Sequence, residues 1–484
     1  MKNTHQPSLD FLFNPNSITL AGITTAEGGH WTRTFLEGLI ASEFDRPMYL
    51  VNPKGGEIKG HKVYTSVRDI PGSIDYVIGL VNAQRAAKLV EECAEKGARV
   101  VHFCTAGFSE TGEEERIRLE SELVEVAHRK GVRIIGPNCM GIYSPKSRMS
   151  FTPTFPNESG PVGVISQSGG NSIYIVRQAA LRGVRFSKVI SYGNACDIDE
   201  SDLLEYLADD ADTEVLALYI EGIKDGRRFR RALEQATKKK PVIMLKGGNT
   251  EGGARAVAGH TAALAGSRAA WDALCKQLGI ITVSSIEEMV DVLVTLLFLP
   301  LPKGRNAVLF GAGGGASVLI TDEFENRGLR VPALPQEIVA QIREFTPVAG
   351  NILRNPVDYS QAIMNPEGVR KTLEIILMWE GTHFLVVFVR TGQFVHAGPL
   401  AARTSSLAAM FFANQRSFPK PVAVVLELSI EPHEADAIAT AIRGCVVSRL
   451  PVYYSFAAAA NAINLILTHT ENRPDHRLRR RPGL

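Results

Sequence analysis

Cysteine pairing is the first thing the sequence lacks. The six cysteines, at 93, 104, 139, 196, 275 and 445, include no CxxC pair, so neither a disulfide framework nor a zinc site is indicated, and a reducing cytoplasm fits. Long apolar runs are missing as well. The longest, Met289 to Leu301, is interrupted by Asp291 and falls well short of the ~20 residues that span a bilayer, so a buried helix is expected there and no membrane partner. The amino-terminal Met-Lys-Asn-Thr-His-Gln-Pro has no apolar core of the kind a secretory signal carries, and export is not expected. Excess charge of either sign is absent: 53 basic against 51 acidic side chains leave a net charge of +2. The basic run Arg477 to Arg481 lies in a tail beside Pro and Gly, where it reads as solvated, and no nucleic-acid partner follows from it. No fixed-period repeat is present, which excludes a solenoid.

What is there is an α/β pattern. With 484 residues, 45% of them apolar, the chain is long enough for about three domains. Short apolar runs alternate with helix-period segments: Ile18 to Gly22, Met48 to Val51, Asp75 to Val81, Arg99 to Phe103 and Val132 to Ile135. Such alternation predicts βαβ units on a parallel sheet. A Pro-rich bridge from Ser144 to Pro161 follows, and the pattern restarts at Val162 to Ser166, Lys188 to Ser191, Val215 to Ile220 and Pro241 to Leu245. A third start comes after Pro302, with Ala307 to Phe310, Phe384 to Val389 and Val422 to Leu426. Three doubly wound α/β units are therefore expected, over 1–144, 145–301 and 302–470, with a basic tail over 471–484.

Two loops offer phosphate sites. Ile165-Ser-Gln-Ser-Gly-Gly-Asn-Ser172 follows a strand and opens a helix, so Ser166, Ser168, Gly169 and Gly170 can bring backbone amides to an anion at the helix's positive end. The plain alternative is a tight turn with a serine cap. Phe310-Gly-Ala-Gly-Gly-Gly-Ala-Ser317 makes the same offer through Gly313, Gly314 and Gly315. The first βα loop, Ala21 to Trp31, has no GxGxxG dinucleotide fingerprint, which argues against NAD. Lys54 leaves a strand end, as a phosphate-binding point charge or as an ordinary solvated lysine. Further loops at 81–83, 104–108 and 136–141 end strands at the rim where doubly wound folds bind ligands.

Eight segments in order make the chain resemble the nucleoside-diphosphate-forming acyl-CoA synthetases, the family that includes ADP-forming acetyl-CoA synthetase and succinyl-CoA synthetase. They are Val51-Asn-Pro-Lys54, Ala106-Gly-Phe-Ser-Glu-Thr-Gly112, Ile135-Gly-Pro-Asn-Cys-Met-Gly141, Ile165-Ser-Gln-Ser-Gly-Gly170, Tyr219-Ile-Glu-Gly222, Lys246-Gly-Gly248, His260-Thr-Ala-Ala-Leu-Ala-Gly266 and Asn355-Pro-Val-Asp358. The resemblance implies a Rossmann-like CoA-binding domain followed by two flavodoxin-like domains. It implies reversible chemistry in which acyl-CoA and phosphate give acyl phosphate and CoA, a histidine takes the phosphoryl group, and ADP collects it. His260 would be that carrier, on a mobile loop of small residues, and Glu221 its orienting acid; a neutral imidazole is a competent nucleophile near pH 7. Coenzyme A would meet Gly22, Ile23, Thr24, Thr25, Lys54, Val81, Asn82, Ala83, Cys104, Thr105 and Ala106, with Asn138 and Cys139 nearer the thiol end. The two glycine-opened helices would face the phosphorylated histidine without a metal in this chain.

The resemblance also implies an ATP-grasp module for ADP/ATP and Mg²⁺. After three units too little chain remains for roughly another 200 residues of domain, so a separate ATP-grasp β subunit is expected, in an α2β2 assembly. The sequence departs from the family at two places. Gly259, Ala262 and Ala263 replace a serine and a Gly-Ser pair around the histidine, and Ala21-Gly-Ile-Thr-Thr25 with His30-Trp31 replaces the usual first CoA loop. These departures leave two alternatives open: a non-catalytic CoA-binding regulatory protein, and a CoA-dependent transferase relative without ATP chemistry.

Overall fold

The computed structural model describes residues 8–26, 31–261, 267–311, 313–346, 351–358, 366–390, 418–427 and 435–472. The first sheet holds β1 (Ile18–Ala21), β2 (Met48–Val51), β3 (Gly56–Ile58), β4 (His61–Tyr64), β5 (Tyr76–Gly79), β6 (Val100–Phe103) and β7 (Arg133–Ile135), in the order β3-β4-β2-β1-β5-β6-β7. All pairings are parallel except β3 with β4. Strands β1, β5 and β6 are buried at every position, which is why they read as unbroken apolar runs rather than alternating ones. The helices that cover them carry one apolar stripe each. Helix Ala86–Glu95, for example, buries Ala86, Leu89, Val90 and Cys93, spaced by three, one and three residues.

The second sheet holds β8 (Gly141–Tyr143), β9 (Ser159–Ser166), β10 (Phe186–Ser191), β11 (Val215–Ile220), β12 (Val242–Lys246) and β13 (Ile281–Val283), ordered β13-β12-β11-β9-β10-β8. Here β8 is the antiparallel edge, paired with β10. The chain thus enters the second sheet at Gly141, ahead of the expected division at Ser144, because a three-residue strand is too short to show a period in sequence. The third sheet holds β14 (Ala307–Phe310), β15 (Ile352–Leu353), β16 (Val357–Asp358), β17 (Phe384–Arg390), β18 (Val422–Glu427) and β19 (Val452–Tyr453), ordered β15-β16-β14-β17-β18-β19.

Two compact units result: Met1–Ala180 with Arg185–Ile286, and Leu181–Val184 with Glu287–Leu484. The first contains the first two sheets. The second resumes at Glu287, one residue into helix Ile286–Phe298, rather than after Leu301; that helix buries Met289 through Thr295, and its Asp291 is held by Arg182 at 2.6 Å. This is the apolar run that Asp291 interrupts. No described helix is long and apolar enough to cross a membrane.

In each sheet the strand order reverses at an early central strand: β1 lies between β2 and β5, β9 between β10 and β11, and β14 between β16 and β17. Loops leaving such a strand diverge from a neighbour's loop and open a crevice at the strand's carboxyl end. Residues 22–25 and 167–168 follow the first two of these strands, and Gly311 and Gly313 are the described residues between β14 and the next helix.

Candidate functional site

Helix Glu251–Thr261 follows β12 and carries His260 in its last turn. The expectation of a loop histidine is corrected here: Glu251 to Thr261 contains no proline, and alanines among its glycines sustain the helix. Residues 262–266, with Ala262 and Ala263, lie outside the described residues. Gly259 has open space where a Cβ would stand, so packing does not demand glycine there.

His260 Nδ1 lies 2.9 Å from Glu221 Oε1 and 3.0 Å from Oε2. A carboxylate only accepts, so this pair places the proton on Nδ1 and leaves Nε2 as the ring nitrogen with a free lone pair. The hydrogen bond to Glu221 raises the His260 pKa from its ordinary value, against a partial burial that lowers it. The imidazole is half exposed at 48%, whereas the Glu221 side chain is 3% exposed. An accessible nucleophile thus rests on a buried acid.

Glu221 is the residue just after β11, and its backbone is fixed from two sides. Gln167 Oε1 accepts the amides of Glu221 and Gly222 at 2.7 and 3.1 Å, and Lys246 Nζ donates to the Glu221 carbonyl at 2.8 Å. Gln167 lies inside the 165–172 loop, so the glycine-opened helix and the acid behind the histidine are joined through one buried amide. Sequence reasoning missed Gln167, Lys246 and Tyr219, although each stands in a segment quoted above; side-chain amides and lysines leave no periodicity to read.

In that loop Ser166 is fully buried and its hydroxyl donates to the Ser168 carbonyl at 2.7 Å, while Ser168 Oγ accepts from the Asn171 amide at 3.3 Å. Both serines shape and cap the turn. Gly170 has open space beside it, and Gly169 abuts Met140. Helix Gly169–Leu181 therefore begins at an accessible end whose first amides are the donors left for an anion. In the second unit, Gly313 takes φ +77° ahead of helix Gly314–Asn326, and Gly315 faces open space; Ala312 lies outside the described residues.

The first sheet places the expected CoA-contact residues after the ends of β1, β2, β5, β6 and β7. Gly22 has φ +97°, and a Cβ there would lie 2.9 Å from the Leu80 carbonyl carbon and oxygen, so only glycine lets the β1 and β5 loops approach. Thr105 Oγ1 donates to the Val81 carbonyl at 2.6 Å, tying the β6 loop to the Val81-Asn82-Ala83 turn. Asn52 Nδ2 holds the Ile23 carbonyl at 2.8 Å, bringing the Lys54 segment beside the first loop; Lys54 itself is exposed. Thr24 accepts Ala26 N on its hydroxyl, Thr25 is half-buried, and Ala106 is exposed. Trp31 is exposed, and His30 lies outside the described residues.

Two residues behave differently from the rest of that set. Cys139 is buried with Sγ directed to the Phe103 carbonyl at 3.7 Å, and burial pushes its thiol pKa well up, as it pushes Cys104 up to about 12. Both thiols are thereby kept protonated, the less nucleophilic form. Asn138, in the left-handed region at φ +60°, donates from Nδ2 to the His260 carbonyl at 3.1 Å. It caps an end of the histidine helix from the first sheet's last loop. Among the described residues no cluster of His, Cys, Asp or Glu could hold a metal ion.

Comparison with known proteins bears on the family and the fold. A CoA binding domain model matches residues 17–145 and a succinyl-CoA ligase like flavodoxin domain model matches 159–296. The alpha subunit of ADP-forming acetate–CoA ligase II from Pyrococcus furiosus is 39% identical over 81% of this chain and 84% of its own length. ADP-forming acetate–CoA ligase I of Archaeoglobus fulgidus is 38% identical over 72% of this chain but only 50% of its own length, so relatives occur both as alpha subunits and as longer single chains. Among solved structures, acetyl-coenzyme A synthetase 1 of Ca. Korarchaeum cryptofilum, in complex with phosphate and ADP, superposes with a TM-score of 0.79 at 28% identity, covering 96% of this chain and 98% of that one. The chain belongs to the nucleoside-diphosphate-forming acyl-CoA synthetases.

Proposed function

We propose that this chain is the CoA-binding, phosphohistidine-bearing subunit of an ADP-forming acyl-CoA synthetase, converting acyl-CoA, phosphate and ADP reversibly into acid, CoA and ATP. The observation that carries the reading is the pairing of half-exposed His260 with buried Glu221 through Nδ1. In the transfer step, the Nε2 lone pair attacks the phosphorus of an acyl phosphate. The bond from phosphorus to the acyl oxygen breaks, and the carboxylate leaves with the electron pair. The Nδ1 proton stays with the ring, held by Glu221, so no proton has to travel during the step. The open amide end at Gly169 and Gly170 offsets charge on the phosphoryl group. CoA occupies the crevice between the β1 and β5 loops, with Lys54 as a phosphate contact and Asn138 near the thioester.

The acceptor ADP and its Mg²⁺ belong to a separate ATP-grasp β subunit, in an α2β2 assembly, and the protein works in the cytoplasm. A non-catalytic binder has no use for an acid-backed accessible histidine, and the similar proteins named above are ligases. The test is labelling with radioactive phosphate in the presence of acyl-CoA. An acid-labile, base-stable label on His260, absent in His260→Ala, is expected; equal labelling of the variant, or none in the wild type with its β partner present, refutes the proposal.

A further inference from the structure

Tyr219 and Glu221 stand two residues apart at the end of β11, so their side chains leave the strand on the same side. Tyr219 Oη donates to Glu221 Oε1 at 3.1 Å, and that same oxygen is the one 2.9 Å from His260 Nδ1. Two donors therefore share one carboxylate oxygen. A Cβ at Gly247 would come within 3.0 Å of the phenol oxygen and 3.4 Å of Glu221 Cγ, so the backbone after β12 walls the pair in. Burial, with Glu221 alongside, pushes the phenol pKa up and keeps it a donor at every working pH; the Asn171 side chain bonds the same phenol. The buried phenol of Tyr192 also lies within electrostatic reach of Glu221. Glu110 faces His260 from the turn Ser109–Thr111, and the Lys246 ammonium faces Glu221 from β12.

We propose that Tyr219 is a positioning residue that sets the basicity of His260: by donating to Glu221 Oε1 it draws charge from the carboxylate, loosens its hold on the imidazolium, and keeps more of the imidazole neutral near pH 7. The inference rests on the reading of His260 as the phosphoryl acceptor, since only a neutral ring attacks phosphorus. It gives Tyr219 a role that size and packing do not.

The experiment pairs NMR titration of the His260 ring with phosphohistidine labelling across pH in the full chain. Tyr219→Phe is expected to move the titration midpoint to higher pH, and to cut the labelling rate at pH 6 by about threefold more than at pH 8.5, since each pKa unit changes the neutral fraction up to tenfold. In a Glu221→Gln background the same substitution is expected to leave the midpoint in place. Should Tyr219→Phe fold poorly, 3-fluorotyrosine at the same position keeps the shape and strengthens the donor; the midpoint then moves to lower pH. An unmoved midpoint in either replacement, or an equal shift in the Glu221→Gln background, overturns the proposal. Absence of label in the wild type refutes the phosphohistidine reading instead, and the NMR titration still decides the link from Tyr219 to His260.

Discussion

Replacing Glu221 by glutamine isolates the one interaction on which the chemistry depends. The substitution keeps the side chain's shape, and the contacts that fix this position, from Gln167 and Lys246, reach the backbone of 221 rather than its side chain. What is lost is the negative charge facing His260 Nδ1. A hydrogen bond to a charged partner contributes about 1.5–3 kcal/mol and a neutral one about 0.5–1.5 kcal/mol, so phosphorylation of His260 should slow by roughly 10-fold, and by more wherever the amide NH₂ turns toward the ring and reverses its tautomer. The titration of His260 should change in a defined sense. Its pKa is raised by Glu221 and lowered by burial, so with the charge gone the midpoint moves to lower pH. Rapid-quench measurement of label transfer from an acyl phosphate gives the rate, and ring NMR gives the midpoint. A rate within about twofold of wild type, or a midpoint that rises, would refute the reasoning. Stability follows the same sign: with a folded pKa above the unfolded value near 6.5, the His260 contribution is present below that value and is lost as pH rises through the folded pKa. Because the imidazole is half exposed, that contribution is small.

Two further outcomes follow from packing and burial. Gly22→Ala should lower stability by about 1–3 kcal/mol in urea unfolding, and weaken CoA binding by calorimetry, because a Cβ meets the Leu80 backbone at 2.9 Å with φ at +97°; unchanged values for both would show that the β1 loop relaxes freely. Glu200 is buried, and its carboxyl is pushed up to about 7, first by that burial and then by Asp199. Between its ordinary value of 4.5 and about 7 the unfolded chain releases this proton before the folded one does, so the group costs stability as pH climbs through that window. Glu200→Gln should therefore gain stability relative to wild type at pH 8 by up to about 3 kcal/mol, with little gain at pH 4. Urea unfolding at both values checks the difference, and equal effects at the two pH values would refute it.

Much of the α/β architecture was legible because parallel strands buried on both faces must be apolar throughout, as β1, β5 and β6 are, and because strand ends in such folds are marked by glycine, asparagine and serine. Less was legible where elements are short or held from a distance. Strands β3, β8 and β15 have only two or three residues, too few for any period, and each is the antiparallel edge of its sheet. The division at Ile286 depends on a helix whose burial partners, Arg182 among them, are far away in the chain.

The same contrast runs through the site. Residue order marked His260 and Glu221 as a candidate pair, since the segments around them resemble a family pattern and an imidazole is a competent nucleophile. Tertiary structure decided the rest. It put His260 on a helix end, gave its carbonyl to Asn138, turned Cys139 into the core, and set Gln167 beneath Glu221. The last three are not encoded in spacing, because each is a hydrogen bond or a packing contact between residues dozens of positions apart, and such contacts exist only once the sheets have brought their strand ends to one rim.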